Sequence, residues 1–162
     1  MDHSLNTYQN ILELIGNTPL IKLNNSVVDY KGEFYAKFEA FNPGHSNKDR
    51  IAIHIIEEAE RRGILKPGDT VIETTSGNTG YSLAMVSMIK GYDCILAVSS
   101  KSSKDKINML SSMGAQVHVC PANVPTDDPR SYYEVAKRLH AELKHSAYIK
   151  QYLHALTVDT TY

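Results

Sequence analysis

The stretch Thr70–Gly91, "TVIETTSGNTGYSLAMVSMIKG", changes its period part-way along. Thr70 to Thr75 is a short run rich in β-branched residues, which reads as a strand. From about Thr79 the pattern turns helical, with Leu83, Ala84, Met85 and Val86 in its body and Gly91 as a stop after Lys90. Between the two lies Thr75-Ser76-Gly77-Asn78-Thr79-Gly80, six small or hydrogen-bonding residues. A strand that runs through such a loop into a helix is the repeating unit of a parallel α/β sheet.

The unit recurs downstream. A strand over Cys94 to Ser99 precedes a helix that starts near Ser103 and ends at Gly114. A strand over Gln116 to Cys120 is followed by Asp128-Pro129, which reads as an N-cap and N1 pair. The helix it opens should bury Tyr132, Val135, Ala136, Leu139 and Leu143, and a last strand is expected over Ala147 to Tyr152. Upstream, a helix begins at Lys48, with Ile51, Ile55 and Ala59 in one row and Ala52 with Ile56 in another. Its wet side carries Glu57-Glu58 and Arg61-Arg62, Gly63 caps it, and Pro67-Gly68-Asp69 turns the chain. Before it come a turn at Ile15 to Pro19, an alternating run at Leu20 to Leu23, and a strand pattern over Glu33 to Phe41. The fold class expected is α/β, an open parallel sheet with helices on both faces.

Composition narrows the function. The 162 residues suffice for one domain with a core. A net charge of −1 with no basic stripe argues against nucleic acid or an anionic membrane as partner. The apolar runs are too short to span a bilayer, and "MDHSLNTYQN" lacks the form of a signal peptide, so a cytoplasmic location is expected. Cys94 and Cys120 both sit in apolar strand runs and read as buried hydrophobes in a reducing compartment. "GHSNKD" lacks the glycine–lysine–hydroxyl ending of a P-loop, and no GxGxxG or GxSxG occurs. His54 has no histidine one turn away, so no metal site is expected, and His118 reads as a hydrogen-bonded structural residue.

Two loops remain as carriers of chemistry. "TSGNTG" offers backbone N–H groups and hydroxyl donors at a helix start, a receptor for a carboxylate or another small anion. The second is Asn42 to Arg50, "NPGHSNKDR", which places Lys48 at a helix start where the macrodipole disfavours a cation. A lysine with access to its neutral amine is what Schiff-base chemistry needs.

Together with "IGNTPL" (Ile15 to Leu20), these loops resemble the N-terminal half of the fold-type-II pyridoxal-phosphate enzymes, the cystathionine β-synthase and cysteine synthase family. "ILKPGDTVIE", "SSMGAQV" and the pair Gln151-Tyr152 extend the resemblance over roughly Leu12 to Tyr152. It implies that Lys48 holds pyridoxal 5'-phosphate covalently and that Asn78 hydrogen-bonds the cofactor's ring hydroxyl. It also implies that Thr75, Ser76, Gly77 and Thr79 hold the substrate carboxylate, aided by Gln151 from the opposite strand end. The implied reaction is β-replacement on serine or O-acetylserine by a thiol or sulfide, with the freed Lys48 amine removing the α-proton. "DDPRSYYEVAKRL" (Asp127 to Leu139) leans toward serine plus homocysteine, and without a haem-binding extension no haem is expected. A homodimer is implied for the full-length form. Two other readings stay open: a non-catalytic remnant that binds a small carboxylate, and a serine/threonine dehydratase that needs no thiol.

This chain departs from the family pattern at His45, where a second glycine is usual, at Asn47, where valine is usual, and at Thr74, where proline is common. The family's glycine-rich loop for the cofactor phosphate has no counterpart, since none of the nine glycines follows Gly114. A truncated chain is therefore expected. Residues 1–45 would belong to the large domain and the approach to the small one, 46–152 would form the small α/β domain, and 153–162 an irregular tail. Apolar surface should be exposed where the other half would pack.

Overall fold

Four strands joined by helical crossovers pair in parallel, as the alternating pattern requires. The computed structural model describes residues 7–75 and 77–149. In chain order the elements are β1 (Leu20–Leu23), β2 (Phe34–Lys37), α1 (Lys48–Arg61), β3 (Thr70–Glu73) and α2 (Asn78–Lys90). They continue with β4 (Asp93–Ser99), α3 (Lys104–Ser112), β5 (Gln116–Cys120), α4 (Tyr132–Glu142) and β6 (Ser146–Tyr148). The main sheet has the order β5-β4-β3-β6, all parallel, while β1 and β2 form a separate antiparallel pair.

Strand alternation divides the core between the two faces of the sheet. Val71 of β3 packs with Ala52, Ile55, Ile56 and Ala59 of α1 and with Leu83 and Val86 of α2. Cys94, Leu96 and Val98 of β4 point the same way, against Ala84 of α2 and Leu110 of α3. The intervening Ile72, Ile95 and Ala97 face Val135 and Ala136 of α4. Helices thus cover both faces, as expected. Each fully buried Ile or Leu in these layers contributes about 1.5–3 kcal/mol. The helix α2 is wedged between α1 and α3, so even its serines Ser82 and Ser87 are buried.

Caps explain most of the boundaries. Gly63, Gly91 and Gly114 each follow a helix at positive φ, where glycine avoids the Cβ clash. Ser103 accepts from the Lys106 N–H and starts α3. At α4 the expected Asp128-Pro129 cap is replaced by Ser131, whose hydroxyl accepts from the Glu134 N–H at 3.2 Å. The Asp128 carboxylate is occupied by the Arg130 N–H and guanidinium, which spends it on the preceding turn. Leu143 follows the helix in an extended conformation and is 38 % exposed, not buried.

Two more expectations are corrected. The strand pattern over Glu33 to Phe41 pairs only from Phe34 to Lys37 and then turns into a 3-10 helix over Glu39–Phe41. There the Asn42 amide donates back to the Glu39 carbonyl at 3.0 Å, folding the chain, and Phe34, Phe38 and Phe41 stay exposed. His118 is not satisfied: its Nε2 is buried without a hydrogen bond among the described residues. The strand expected from Ala147 to Tyr152 is described as Ser146–Tyr148, and its final three residues lie outside the described residues.

Candidate active site

The turn before α1 is built around Asn42, a fully buried side chain. Its amide N–H groups reach the Glu39 backbone and carboxylate and the Ser46 carbonyl, while its Oδ1 accepts the Gly16 N–H at 2.9 Å. Arg50, one turn into α1, forks onto Glu39 and also donates to the Gly16 carbonyl and the Thr18 hydroxyl. Thr18 Oγ1 in turn donates to Glu39 Oε1 at 2.6 Å. These bonds hold Glu39 down to about 2 from an ordinary value near 4.5, Arg50 contributing most, then Thr18, with Asn42 adding a smaller share. The "IGNTPL" and "NPGHSNKDR" motifs are therefore one polar clamp, closed across about thirty residues of chain.

A second set of bonds fixes α1 against α2. The Asp49 carboxylate is wholly buried; it accepts from the Gly44 N–H and, at 2.5 Å, from the Ser82 hydroxyl. A Cβ on Gly44 would lie 2.2 Å from Asp49 Oδ1, so this turn closes only with glycine. Ser82 Oγ also lies 2.9 Å from the Asn78 carbonyl. Asp49 thereby ties the turn of α1 that begins with Lys48 to the turn of α2 that begins with Asn78.

Lys48 is the first residue of α1, its N–H donated to Ser46 Oγ at 3.2 Å. Its half-buried side chain has no hydrogen-bond or ion-pair partner among the described residues. Gly77 is the N-cap of α2, extended at φ −94° and ψ −159°, with its N–H on Thr75 Oγ1 at 3.2 Å. Asn78 and Thr79 follow as the first two helical residues. Ser76 and Gln151 lie outside the described residues. Thr74 donates both N–H and O–H to Glu73 Oε1, at 2.5 and 3.1 Å; a proline here could make neither bond.

Between the loops lies a hollow of about 400 Å³, within the ~300–1,000 Å³ of small-molecule sites. Gly44 and His45 form one wall and Gly77, Asn78 and Tyr81 another, with Lys106 and Met109 of α3 closing a third. Lys48, Thr75 and Thr79 stand beside it and do not line it. Lys106, Tyr81 and Met109 escaped the sequence reading, because nothing local marks a helix face that a distant loop completes.

The donor set suits an anionic, carbonyl-bearing cofactor. Lys48 offers an uncommitted primary amine and Asn78 an amide, and the first N–H groups of α2 begin at a residue with no capping side chain. A Cβ at Gly77 would meet only Thr75 Oγ1, at 4.0 Å, so a ligand can approach that backbone. At Gly80 the same Cβ would meet the Thr75 carbonyl at 2.7 Å, which fixes how closely the loop lies on α2.

The family model for pyridoxal-phosphate dependent enzymes matches residues 11–162. The chain belongs to that family. It is 46% identical over 147 residues to the cystathionine beta-synthase of Rattus norvegicus, covering 90% of this chain and 26% of the relative. It is also 46% identical over 114 residues to the cysteine synthase of Staphylococcus aureus, covering 70% of this chain and 37% of that protein. Among solved structures, the hydrogen sulfide-producing enzyme from Fusobacterium nucleatum superposes with a TM-score of 0.80 at 34% identity, over 91% of this chain and 47% of that one. The chain thus spans about a quarter to a third of the curated relatives and just under half of the solved enzyme. The expected fold-type-II class and family are both borne out. Among the described residues no helix is long and apolar enough to cross a membrane.

Proposed function

We propose that this chain carries the lysine half of a pyridoxal-phosphate-dependent β-replacement site, acting on serine or O-acetylserine with a thiol or sulfide. One observation carries the reading. Lys48, without a protein partner among the described residues, is fixed through Asp49 and Ser82 beside the helix start that bears Asn78. Lys48 would anchor the cofactor covalently through Nζ, and Asn78 would hold it from the ring side. Thr75, Ser76, Gly77 and Thr79 would grip the substrate carboxylate through hydroxyls and backbone N–H groups, with Gln151 assisting.

When bound, pyridoxal phosphate supplies an electron sink for charge developing at the amino acid's α-carbon. The protein's tasks are then simple ones. The carboxylate grip orients the α-hydrogen toward Lys48, and the released Nζ takes that proton. The β-hydroxyl or β-acetoxy group would leave as water or acetic acid with the proton the thiol gives up, the thiol sulfur would bond to the β-carbon in its place, and the same amine would return its proton to the α-carbon. The buried Asp49 pin keeps Nζ in register with the α2 loop, because α1 cannot slide without breaking a carboxylate–hydroxyl bond.

The proposal extends to a small amino acid plus thiol or sulfide as substrates and to a cytoplasmic homodimer. It takes 1–45 as part of a large domain and 46–152 as the small one, supported by the separate pairing of β1 and β2. Exposed Leu20 and Phe41, at 65 % and 67 %, support an interface on that hairpin side. The test is to add pyridoxal phosphate to the 162-residue chain, reduce with borohydride and map the modified peptide. The expected result is a visible band that serine shifts, with the adduct on Lys48 and no adduct in Lys48→Ala. Labelling spread over several lysines, unchanged in Lys48→Ala, would overturn the reading.

A further inference from the structure

The loop after β3 is fixed on its far side by the Gly77 N–H on Thr75 Oγ1 and by the close approach of the Thr75 carbonyl to Gly80. Its near side depends on Thr74. Glu73, the last residue of β3, is buried, and its Oε1 accepts both the Thr74 N–H at 2.5 Å and the Thr74 hydroxyl at 3.1 Å. A carboxylate taken out of water needs such donors, so these bonds fix the backbone and the side chain of Thr74 together. The constraint falls on the residue immediately before Thr75.

Thr74 also adjoins β6. Ile72 pairs with Tyr148 across the parallel ladder, and Thr74 follows Ile72 by two residues. Burial pushes the Tyr148 phenol above its ordinary value, and the Thr74 hydroxyl beside it draws it back down. The hydroxyl thus stands between the Glu73 carboxylate and the Tyr148 phenol, at the ends of two neighbouring strands. From here β3 leads into the loop of Thr75 and Gly77, and β6 leads toward Gln151, three residues past Tyr148 in sequence. Both segments carry residues assigned above to the substrate carboxylate.

We propose that Thr74 is a positioning residue: its hydroxyl, bonded to Glu73 and adjoining Tyr148, sets the loop geometry in which Thr75 and the Gly77 N–H receive the substrate carboxylate. The proposal rests on the β-replacement reading for what the loop holds, and goes beyond it in naming a side chain that acts through its neighbours. Removing the hydroxyl takes one donor from a buried carboxylate and releases the rotation that carries Thr75. The effect is local, because β3 keeps its ladder to β4 and β6. The loop shifts while the sheet stays.

The experiment compares Thr74→Val, which keeps the branched shape and the backbone N–H but loses the hydroxyl, with Thr74→Ser, which keeps the hydroxyl. Two quantities are read on the 162-residue chain. One is solvent exchange of the Gly77 amide by NMR; the other, with pyridoxal phosphate added, is the serine concentration that half-shifts the visible band. Thr74→Val should speed Gly77 exchange by about fivefold or more and raise the half-shift concentration about tenfold, the loss of one hydrogen bond. Thr74→Ser should stay within about twofold of wild type in both, and borohydride should label Lys48 equally in all three chains. The Leu83 and Val86 amides of α2 should exchange at wild-type rates throughout. Unchanged Gly77 exchange in Thr74→Val would overturn the proposal, as would a Thr74→Ser chain that behaves like Thr74→Val. Equal acceleration at Gly77 and across α2 would overturn it as well, since the hydroxyl would then serve the whole fold. A wild-type chain with no Lys48 adduct and no serine shift would strike the β-replacement reading instead. The exchange comparison would still decide the role of Thr74, so the two failures are distinguishable.

Discussion

Ser82→Ala is the sharpest probe of how the site is held. The substitution removes a single oxygen from a wholly buried position, so it leaves almost no cavity. What it deletes is the hydroxyl that donates to Asp49 Oδ1 at 2.5 Å, one of two donors serving a buried carboxylate. Hydrogen bonds to charged groups contribute about 1.5–3 kcal/mol, and a buried acceptor left short of donors adds to the loss. A destabilisation of about 2 kcal/mol is therefore expected. With a urea slope of about 1–3 kcal/mol/M, the unfolding midpoint should fall by roughly 1 M at unchanged slope. Urea titrations of wild type, Ser82→Ala, Asp49→Asn and the double variant close a cycle whose coupling should be about 1 kcal/mol or more. Amide exchange in the first turn of α1 should also speed up in Ser82→Ala, because the helix start is released. If Ser82→Ala unfolds within about 0.5 kcal/mol of wild type and shows no coupling to Asp49, the pin is not what fixes Lys48.

Two further outcomes follow from the same geometry. Gly80→Ala should destabilise by about 2–3 kcal/mol, because its Cβ would meet the Thr75 carbonyl at 2.7 Å and Thr75 Cγ2 at 3.2 Å; helix propensity alone predicts a gain of about 1 kcal/mol, so the sign measured by urea unfolding decides. Glu39 is held at about 2 in the folded chain against 4.5 ordinarily, so its contribution is complete above pH 4.5 and is lost as pH falls toward 2. Arg50 and Glu39 are 38 % and 24 % exposed, so solvent screening cuts the linkage value to about 1–1.5 kcal/mol. The stability gap between wild type and Glu39→Gln should accordingly narrow by about that amount between pH 6 and pH 2.5, and a gap that stays constant would refute the clamp.

The fold was largely legible because its signals are local. Period changes mark β3–α2, β4–α3 and β5–α4, and glycines at positive φ end the helices where they were expected. The misreadings have a common cause in side chains that bond back to nearby backbone. Asp128 looked like a helix cap, yet Arg130 claims it two residues later. The Glu33 to Phe41 pattern alternates like a strand, yet Glu39 is drawn into the Arg50 and Asn42 network and the chain turns. Long-range polar contacts were invisible for a different reason. Asp49 in a first helical turn reads as a favourable partner for the macrodipole, and nothing adjacent announces Ser82, thirty-three residues away.

The bonding pattern also separates architecture from chemistry within "NPGHSNKDR". Asn42, Gly44, Asp49 and Arg50 are each committed to a named partner that shapes the turn or joins it to another element. Ser46 accepts the Lys48 N–H and is committed as well. The polar groups left over, among the described residues, are the Asn47 amide, the Lys48 amine and the second nitrogen of His45. Two of those three positions, His45 and Asn47, are where this sequence departs from the family pattern it resembles. A substitution at a committed position breaks the turn, whereas one at Asn47 or at the Lys48 amine removes no hydrogen bond that shapes it; His45 stands between the two, since its N–H and Nδ1 are bonded to the Asn42 and Ala40 carbonyls. Within this stretch, then, the departures fall on side chains that the turn does not spend on its own shape, whereas the departure at Thr74 is committed to Glu73 through both its N–H and its O–H.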